Sequence, residues 1–211
     1  MLELEQALQR ILSVIQPLGF ETVMLHESQG RFAAQPALSP VDLPVFDNSA
    51  MDGYAVRAAN LSGASSGNPV SLRLIGKVAA GEVFQGAIEA GRCVRVFTGS
   101  PLPSGADAVV MQEDTRPDPA QPGRIQFLDS VKPWENIRLQ GEEVKRGAKL
   151  IEPGNPLTTG RVALLAAAGI SEITVARRPR VPLLATGSEL VVAGRGVLIC
   201  SFPGPVAGPS P

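Results

Sequence analysis

Between residues 70 and 127 the chain never runs far without a turn. Ser71-Leu72-Arg73-Leu74-Ile75 and Arg92-Cys93-Val94-Arg95-Val96-Phe97 alternate apolar with polar residues, and residues 108–112 form a short apolar run. Ala80-Gly81-Glu82, Ala90-Gly91 and the turn-rich stretches 99–105 and 117–123 cut these runs apart at regular intervals. Alternation of period two over such short runs is the mark of strands with one buried face. The segment therefore predicts a compact β-barrel or sandwich of short strands. Glycine and proline, 22 and 19 of the 211 residues, make up about a fifth of the chain against a usual share of about 12%. That excess fits a chain rich in turns.

Length and charge exclude several classes. A chain of 211 residues holds one large domain or two small ones and can bury a core without disulfide staples. The formal net charge is −1, which gives no electrostatic footprint for nucleic acid. No apolar run approaches the ~18 residues of a membrane-spanning helix. Glu3 and Glu5 stand where a secretion signal needs basic residues, so Asn60-Leu61-Ser62 carries no meaning as a glycosylation acceptor. Two cysteines, Cys93 and Cys200, support neither a disulfide framework nor a zinc cluster. The expectation is a soluble, cytoplasmic protein that binds neither nucleic acid nor membrane.

Helical signals flank the β segment. Leu4, Leu8, Ile11, Leu12 and Ile15 recur on one helical face, predicting a helix over 2–16 stopped by Pro17 and Gly19. Its apolar face would pack on the body or on a second subunit. Residues 22–37 read as a short strand, a turn at Gln29-Gly30 and further extended chain. A second helix has complete signals: Thr158 as N-cap, Leu157 stapled onto Val162, residues 163–168 as helix formers and Gly169 as the left-handed terminal residue. Residues 170–176 read as a strand. Residues 181–185 read as a buried strand entering Thr186-Gly187-Ser188-Glu189-Leu190, which is how an open parallel α/β sheet begins. Residues 193–211 then show neither helical period nor caps, so the chain opens an α/β domain that it does not contain.

Two loops concentrate chemistry. Asp47-Asn48-Ser49-Ala50-Met51-Asp52-Gly53 packs carboxylates, an amide and a hydroxyl into a tight turn. Such a turn can aim a carboxylate outward beside free N–H groups, a setting for Mg²⁺ bridging to phosphate oxygens; it equally suits a polar loop that caps its own backbone. Phe97-Thr98-Gly99-Ser100-Pro101 closes a strand with hydroxyls on either side of a glycine. It can cradle an oxyanion or simply connect a hairpin. Glu142-Glu143 lies among Arg138, Lys145, Arg146 and Lys149, which is either a metal ligand beside phosphate-binding cations or solvated mixed charge. Thr186-Gly187-Ser188-Glu189 has the better context of a strand's carboxyl end.

Other patterns lead nowhere. Gly63-Ala64-Ser65-Ser66-Gly67 matches a nucleophile elbow but sits in a small-residue loop. His26, the only histidine, precedes it, which rules out the hydrolase triad order, and reads as a half-buried packing residue. Gly194-Arg195-Gly196 lacks the third glycine of a dinucleotide fingerprint, and there is no Walker motif. Any catalysis must rest on carboxylates, hydroxyls, cations and a metal.

Phe46-Asp47-Asn48-Ser49-Ala50-Met51-Asp52-Gly53-Tyr54-Ala55-Val56-Arg57 resembles the signature of the molybdopterin molybdenumtransferase family, which includes MoeA and the E domain of gephyrin. Thr98-Gly99-Ser100-Pro101, the stretch 105–113, Asn136-Ile137-Arg138 with Gly141-Glu142-Glu143, and Thr186-Gly187-Ser188-Glu189-Leu190 agree in order. The resemblance runs from the first helix to about residue 192. It implies a cytoplasmic, homodimeric enzyme of molybdenum cofactor biosynthesis that inserts molybdate into adenylylated molybdopterin, uses Mg²⁺ and releases AMP. A molybdopterin adenylyltransferase would be the upstream partner. By family position Asp52, Thr98 and Glu189 would be catalytic, and Asp52 and Glu143 would meet the metal. Asn48, Ser49, Gly53, Gly99, Ser100 and Arg138 would bind the substrate and its phosphates. Glu143 stands where the family usually carries Asp, one methylene longer, and Ser188 also stands where Asp is common.

The fold class that follows is mixed α and β and multi-domain. An inserted β-barrel or sandwich domain, 46–139, sits within an elongated α+β scaffold of 1–45 and 140–176. Residues 177–192 open an incomplete α/β domain, and 193–211 form a disordered tail outside the family pattern. Two readings stand side by side: a molybdenumtransferase whose second half is missing and which inserts no molybdate alone, or a non-catalytic, truncated dimerisation and ligand-binding module.

Overall fold

The computed structural model describes residues 3–16, 18–79 and 81–180, together with two short strands at 190–191 and 202–203. Contacts divide the chain into two compact units, Met1–Glu21 with Ala176–Pro211, and Thr22–Val175.

In the first unit, helix α1 (Leu4–Val14) forms where the 3.6-residue period predicts it. None of its residues is buried, and Leu8, Ile11 and Leu12 are all more than half exposed. The strands at Leu190–Val191 and Phe202–Pro203 pair in parallel. The remainder of 181–211, including the expected strand at 181–185, lies outside the described residues.

Thr22–Val175 is built on three hydrophobic cores. The first belongs to the segments that flank the β-rich middle. Strands β1 (Phe20–Met24) and β2 (Ala37–Leu38) come from the N-terminal side. After them in the chain come β3 (Asn48–Ser49), β4 (Gly53–Val56), β5 (Val70–Val78), β6 (Arg92–Val96), β7 (Ala108–Met111), β8 (Thr115–Pro117), β9 (Arg124–Phe127) and β10 (Ile137–Arg138). Strands β11 (Lys149–Ile151) and β12 (Glu172–Ala176) follow, with helix α2 (Thr159–Ala167) between them. β1 pairs with β12 and β2 with β11. Leu25, Ala33, Ile151, Leu157, Leu165, Ile173 and Val175 bury together there.

Helix α2 is specified at both ends. The Thr158 hydroxyl accepts from the Arg161 N–H, satisfying one donor that the first turn leaves unpaired. Leu157 before the cap and Val162 inside the helix join the same core, the arrangement of a hydrophobic staple. At the far end Gly169 takes φ +81°. Its N–H bonds to Ala166 O at 2.9 Å, and the Ile170 N–H bonds to Leu165 O at 3.0 Å. That pair of bonds is a Schellman termination, and Leu165 and Ile170 both pack on the core beneath.

Strands β4 to β9 form one six-stranded sheet in the order β7-β4-β6-β5-β9-β8. Only β5 and β6 run parallel; the other neighbours are antiparallel. The two edge strands, β7 and β8, follow one another in the chain with a single 3-10 turn, Gln112–Asp114, between them. A sheet whose edges are three residues apart must curl, and this one is a half-barrel. Val56, Leu72, Cys93, Val110, Ile125 and Phe127 fill one face. Their chain neighbours Ala55, Val94 and Val109, with Val78 and Val96, fill the other. Phe84, Leu102, Ala106 and Ile137 cover that second face. The strand at 92–96 is thus buried on both sides rather than half-buried, because Phe84, Leu102, Ala106 and Ile137 return over the second face.

His26 is a further correction. Its side chain is 75% exposed, beside Glu27, so it is neither a half-buried packing residue nor part of a cluster. Among the described residues no helix is long and apolar enough to cross a membrane.

Candidate functional site

Asp52 stands at the corner between β3 and β4, and the fold leaves little freedom in where it stands. The Asp52 carbonyl accepts the Gln112 N–H at 3.0 Å. Gly53, next in the chain, lies between β6 and β7, and a Cβ there would sit 2.0 Å from the Val110 carbonyl oxygen. Glycine is required by that close approach of two backbones. On the β3 side the Ser49 hydroxyl donates to Met51 O at 2.6 Å. Asn48 Nδ2 donates to Phe46 O at 3.1 Å.

The second loop is bonded onto the first. Ser49 N–H donates to Ser100 O at 3.0 Å and Gly99 N–H to Ser49 O at 2.8 Å. Asn48 also bridges Pro101. Ser100 is fully buried, and its hydroxyl donates to Val78 O at 3.2 Å. These contacts bring Thr98 against Asp52. The Thr98 N–H and hydroxyl both donate to Asp52 Oδ1, at 2.8 and 2.9 Å. Donors aimed at one oxygen favour the ionised carboxylate. The Thr98 N–H, then its hydroxyl, then the positive charge of Arg95 hold the Asp52 carboxyl below its ordinary value of 3.8. Oδ2 has no hydrogen-bond partner among the described residues.

Arg138 arrives by another route. β10 pairs antiparallel with β3, setting Arg138 opposite Asn48. Its guanidinium is held by two carboxylates, Glu142 through Nε at 3.0 Å and Glu143 through Nη2. The Leu139 N–H and Arg138 together hold the Glu142 carboxyl below its usual range. A cavity of about 380 Å³ opens here, bounded by Pro44, Phe46, Asn48, Gly99, Arg138 and Glu143.

The structure therefore sorts the sequence-predicted residues into three groups. Asp52 and Thr98 form one bonded pair, with Gly53 fixing its corner. Asn48, Gly99, Arg138 and Glu143 share the cavity, tied to that pair through the 49–100 backbone bonds. Ser49 and Ser100 are buried, with their hydroxyl protons committed to the loops themselves. Glu189 and its neighbour Ser188 lie outside the described residues. No group of three or more acidic, histidine or cysteine side chains gathers at a metal-binding spacing among the described residues.

Sequence reasoning missed two things. Glu142 is as much a partner of Arg138 as Glu143 is, at the i, i+4 spacing. Beside Asp52, the Arg95 guanidinium lies 4.9 Å from the Tyr54 ring and 5.3 Å from the Phe97 ring, with Lys77 Nζ 5.0 Å from Phe97. The alternation along 92–97 was the available signal, since it sets Arg95 and Phe97 on the face of Cys93.

Comparison with known proteins places this geometry. Residues 2–169 match the family described as MoeA N-terminal region (domain I and II). A molybdopterin molybdenumtransferase of Haemophilus influenzae is 40% identical over 196 residues, covering 92% of this chain and 47% of that protein. One from a Nostoc species is 40% identical over 171 residues, covering 81% of this chain and 38% of that protein. A crystal structure of the molybdopterin biosynthesis MoeA protein from Pyrococcus horikoshii OT3 superposes with a TM-score of 0.79 at 37% identity, over 89% of this chain and 49% of that one. The chain spans about half the length, or less, of these relatives.

Proposed function

The chain belongs to the MoeA N-terminal-region family, and on that premise we propose that it acts in molybdenum cofactor biosynthesis, seating adenylylated molybdopterin for insertion of molybdate with release of AMP. The observation that carries this reading is the Asp52 carboxylate, ionised and exposed, with both Thr98 donors on Oδ1 and Oδ2 turned to no partner among the described residues.

Mg²⁺ fits such a site. This cation is commonly held by one or two carboxylates while waters and substrate phosphates complete its shell, so a lone carboxylate with a free oxygen suffices and a three-carboxylate cage is not needed. Asp52 would hold the ion through Oδ2. Glu143 is less suited, because Arg138 takes up its carboxylate. When bound, Mg²⁺ would neutralise charge on the phosphoanhydride that joins molybdopterin to AMP. Thr98 keeps the Asp52 carboxylate ionised and pointed, and its own hydroxyl proton is spent on that task. Gly99 and Asn48 leave the wall of the neighbouring cavity open to a ligand, and Arg138, fixed by Glu142 and Glu143, sets the charge at its edge.

The same reading takes 46–139 as a β domain inserted between 1–45 and 140–176. The separate core formed by Leu25, Ile151, Leu157, Leu165 and Ile173, from both flanking segments, supports that division. It takes the protein to work in the cytoplasm as a homodimer, supported by the exposed apolar residues of α1. A nucleotidyl transfer to molybdopterin must supply the substrate, the work of an adenylyltransferase.

Equilibrium binding of adenylylated molybdopterin to the purified chain, with and without Mg²⁺, tests the proposal. Binding strengthened by Mg²⁺ in the wild type and indifferent to Mg²⁺ in Asp52→Asn is the expected result. Equal Mg²⁺ dependence in the two proteins would overturn it.

A further inference from the structure

A row of cations and aromatic side chains crosses the curled sheet. Tyr54 on β4 lies opposite Arg95 on β6, and Arg95 lies opposite Lys77 on β5. Tyr54 packs on the core that holds Val56 and Cys93, which assigns Arg95, two residues from Cys93, to the same face. Phe97, two residues further, lies within 5.3 Å of Arg95 and 5.0 Å of Lys77, so both cations share one aromatic ring.

Two like charges on directly opposed strand residues repel, and neither Lys77 nor Arg95 forms a salt bridge to a carboxylate among the described residues. The Arg95 side chain instead donates to the neutral Gln112 amide oxygen. The guanidinium lies 4.9 Å from the Tyr54 ring and 5.3 Å from the Phe97 ring, contacts that favour a cation and leave it donors beyond the one given to Gln112, in a fork that suits phosphoryl oxygens. Arg138, the cation expected to meet phosphate, is already engaged by Glu142 and Glu143. Arg95 is close enough to act on the Asp52 carboxylate, and Phe97 immediately precedes Thr98. Arg95, Lys77 and the Asp52 carboxylate thus meet around Phe97 and Thr98.

We propose that Lys77 and Arg95 form the seat for a diphosphate group beside Asp52, gripping the phosphoanhydride portion of the substrate. This deepens the reading of the Asp52 loop given above and rests on it. The aromatic pair holds the two cations in register before ligand arrives, so the cost of bringing them together is met in folding and binding of the anion relieves it.

Calorimetric titration of the full chain with inorganic pyrophosphate at low salt tests the seat. Saturable binding is expected, weakened about tenfold by Lys77→Gln or Arg95→Gln and further by the double variant. Lys77→Arg, which keeps the charge, retains most of the affinity, and Arg161→Gln, at the start of helix α2 with its guanidinium on the Pro156 carbonyl, leaves it unchanged. Thermal melting of each variant separates lost binding from lost folding. Affinity unchanged within about twofold in a folded double variant, or no saturation by about 10 mM in the wild type, would overturn the proposal. Sodium molybdate binding as well as pyrophosphate, with the same dependence on both residues, would overturn the diphosphate assignment. Pyrophosphate binding that needs Lys77 and Arg95, alongside substrate binding indifferent to Mg²⁺ and Asp52, would sustain the seat while the metal reading fell.

Discussion

Gly53→Ala isolates the contact that sets the candidate site. A Cβ at this position would lie 2.0 Å from the Val110 carbonyl oxygen, 2.9 Å from its carbon and 3.2 Å from Val109 Cγ1, against about 3.4 Å for ordinary contact. The obstacle is backbone, and it belongs to β7, which is paired to β4 at all four positions from Gly53 to Val56. Relief requires β4 and β7 to separate, which breaks ladder bonds and opens the cores on both faces. Overpacking alone costs about 1–3 kcal/mol, and each lost backbone bond adds about 1 kcal/mol, so destabilisation of about 3 kcal/mol or more is expected. That is a large share of the 5–15 kcal/mol typical of a folded domain. Gly67→Ala is the control: nothing lies within 4 Å of a Cβ there and its φ is not in the left-handed region, so stability should shift by less than about 0.5 kcal/mol. Urea unfolding of the two variants, followed by circular dichroism, measures the difference. A Gly53→Ala midpoint indistinguishable from that of Gly67→Ala would refute the argument that backbone approach fixes the Asp52 corner.

Three other outcomes follow from particular contacts. Thr158→Ala removes the cap that accepts the Arg161 N–H and should cost about 1 kcal/mol; no change in thermal unfolding would count against the cap. Asp52, Asp118, Glu142 and Glu152 all titrate below their ordinary values, held chiefly by the Thr98 N–H, the Ser71 hydroxyl, the Leu139 N–H and Lys149 respectively. A carboxyl depressed in the folded state lends stability that is complete above its unfolded value and is lost as pH falls through the folded one. Urea midpoints should therefore be level from pH 7 to about 5 and decline below about 4; a midpoint that rises on acidification would contradict this. Burial pushes the Cys93 thiol up to about 12, so in a Cys200→Ser background it should resist alkylation at pH 8 until the chain is unfolded, and rapid native labelling would oppose that placement.

Much of the fold could be read locally. Helix α2 carried its whole specification within a dozen residues, from Leu157 and Thr158 to Gly169, because capping and termination depend on near neighbours. Two strands of the curled sheet, β5 and β6, were visible as period-two runs and a third, β7, as an apolar run, but β4, β8 and β9 and the burial of both faces were not, since Phe84, Leu102 and Ile137 cover the second face from other parts of the chain. The same division separates the site residues. Asp52 and Thr98 stood out in their loops, yet only the pairing of residues 49 and 99–100 brings them together. Arg138 stood out as a cation, but that Glu142 and Glu143 both fold back onto it is set by the fold and was not visible in the sequence. Lys77, Arg95 and Tyr54 come from three strands, and their meeting is a fact of register that composition cannot express.

The measurement that reaches the central claim most directly is a double-mutant cycle on the Asp52–Thr98 pair, read as the Mg²⁺-dependent gain in affinity for adenylylated molybdopterin. Thr98→Val removes the hydroxyl donor and keeps the N–H, so it should diminish the gain, while Asp52→Asn should abolish it. Because Thr98 acts only through Asp52, the double variant should be no worse than Asp52→Asn alone. Effects of the two substitutions that add independently, or a Mg²⁺ response that survives Asp52→Asn, would contradict the account.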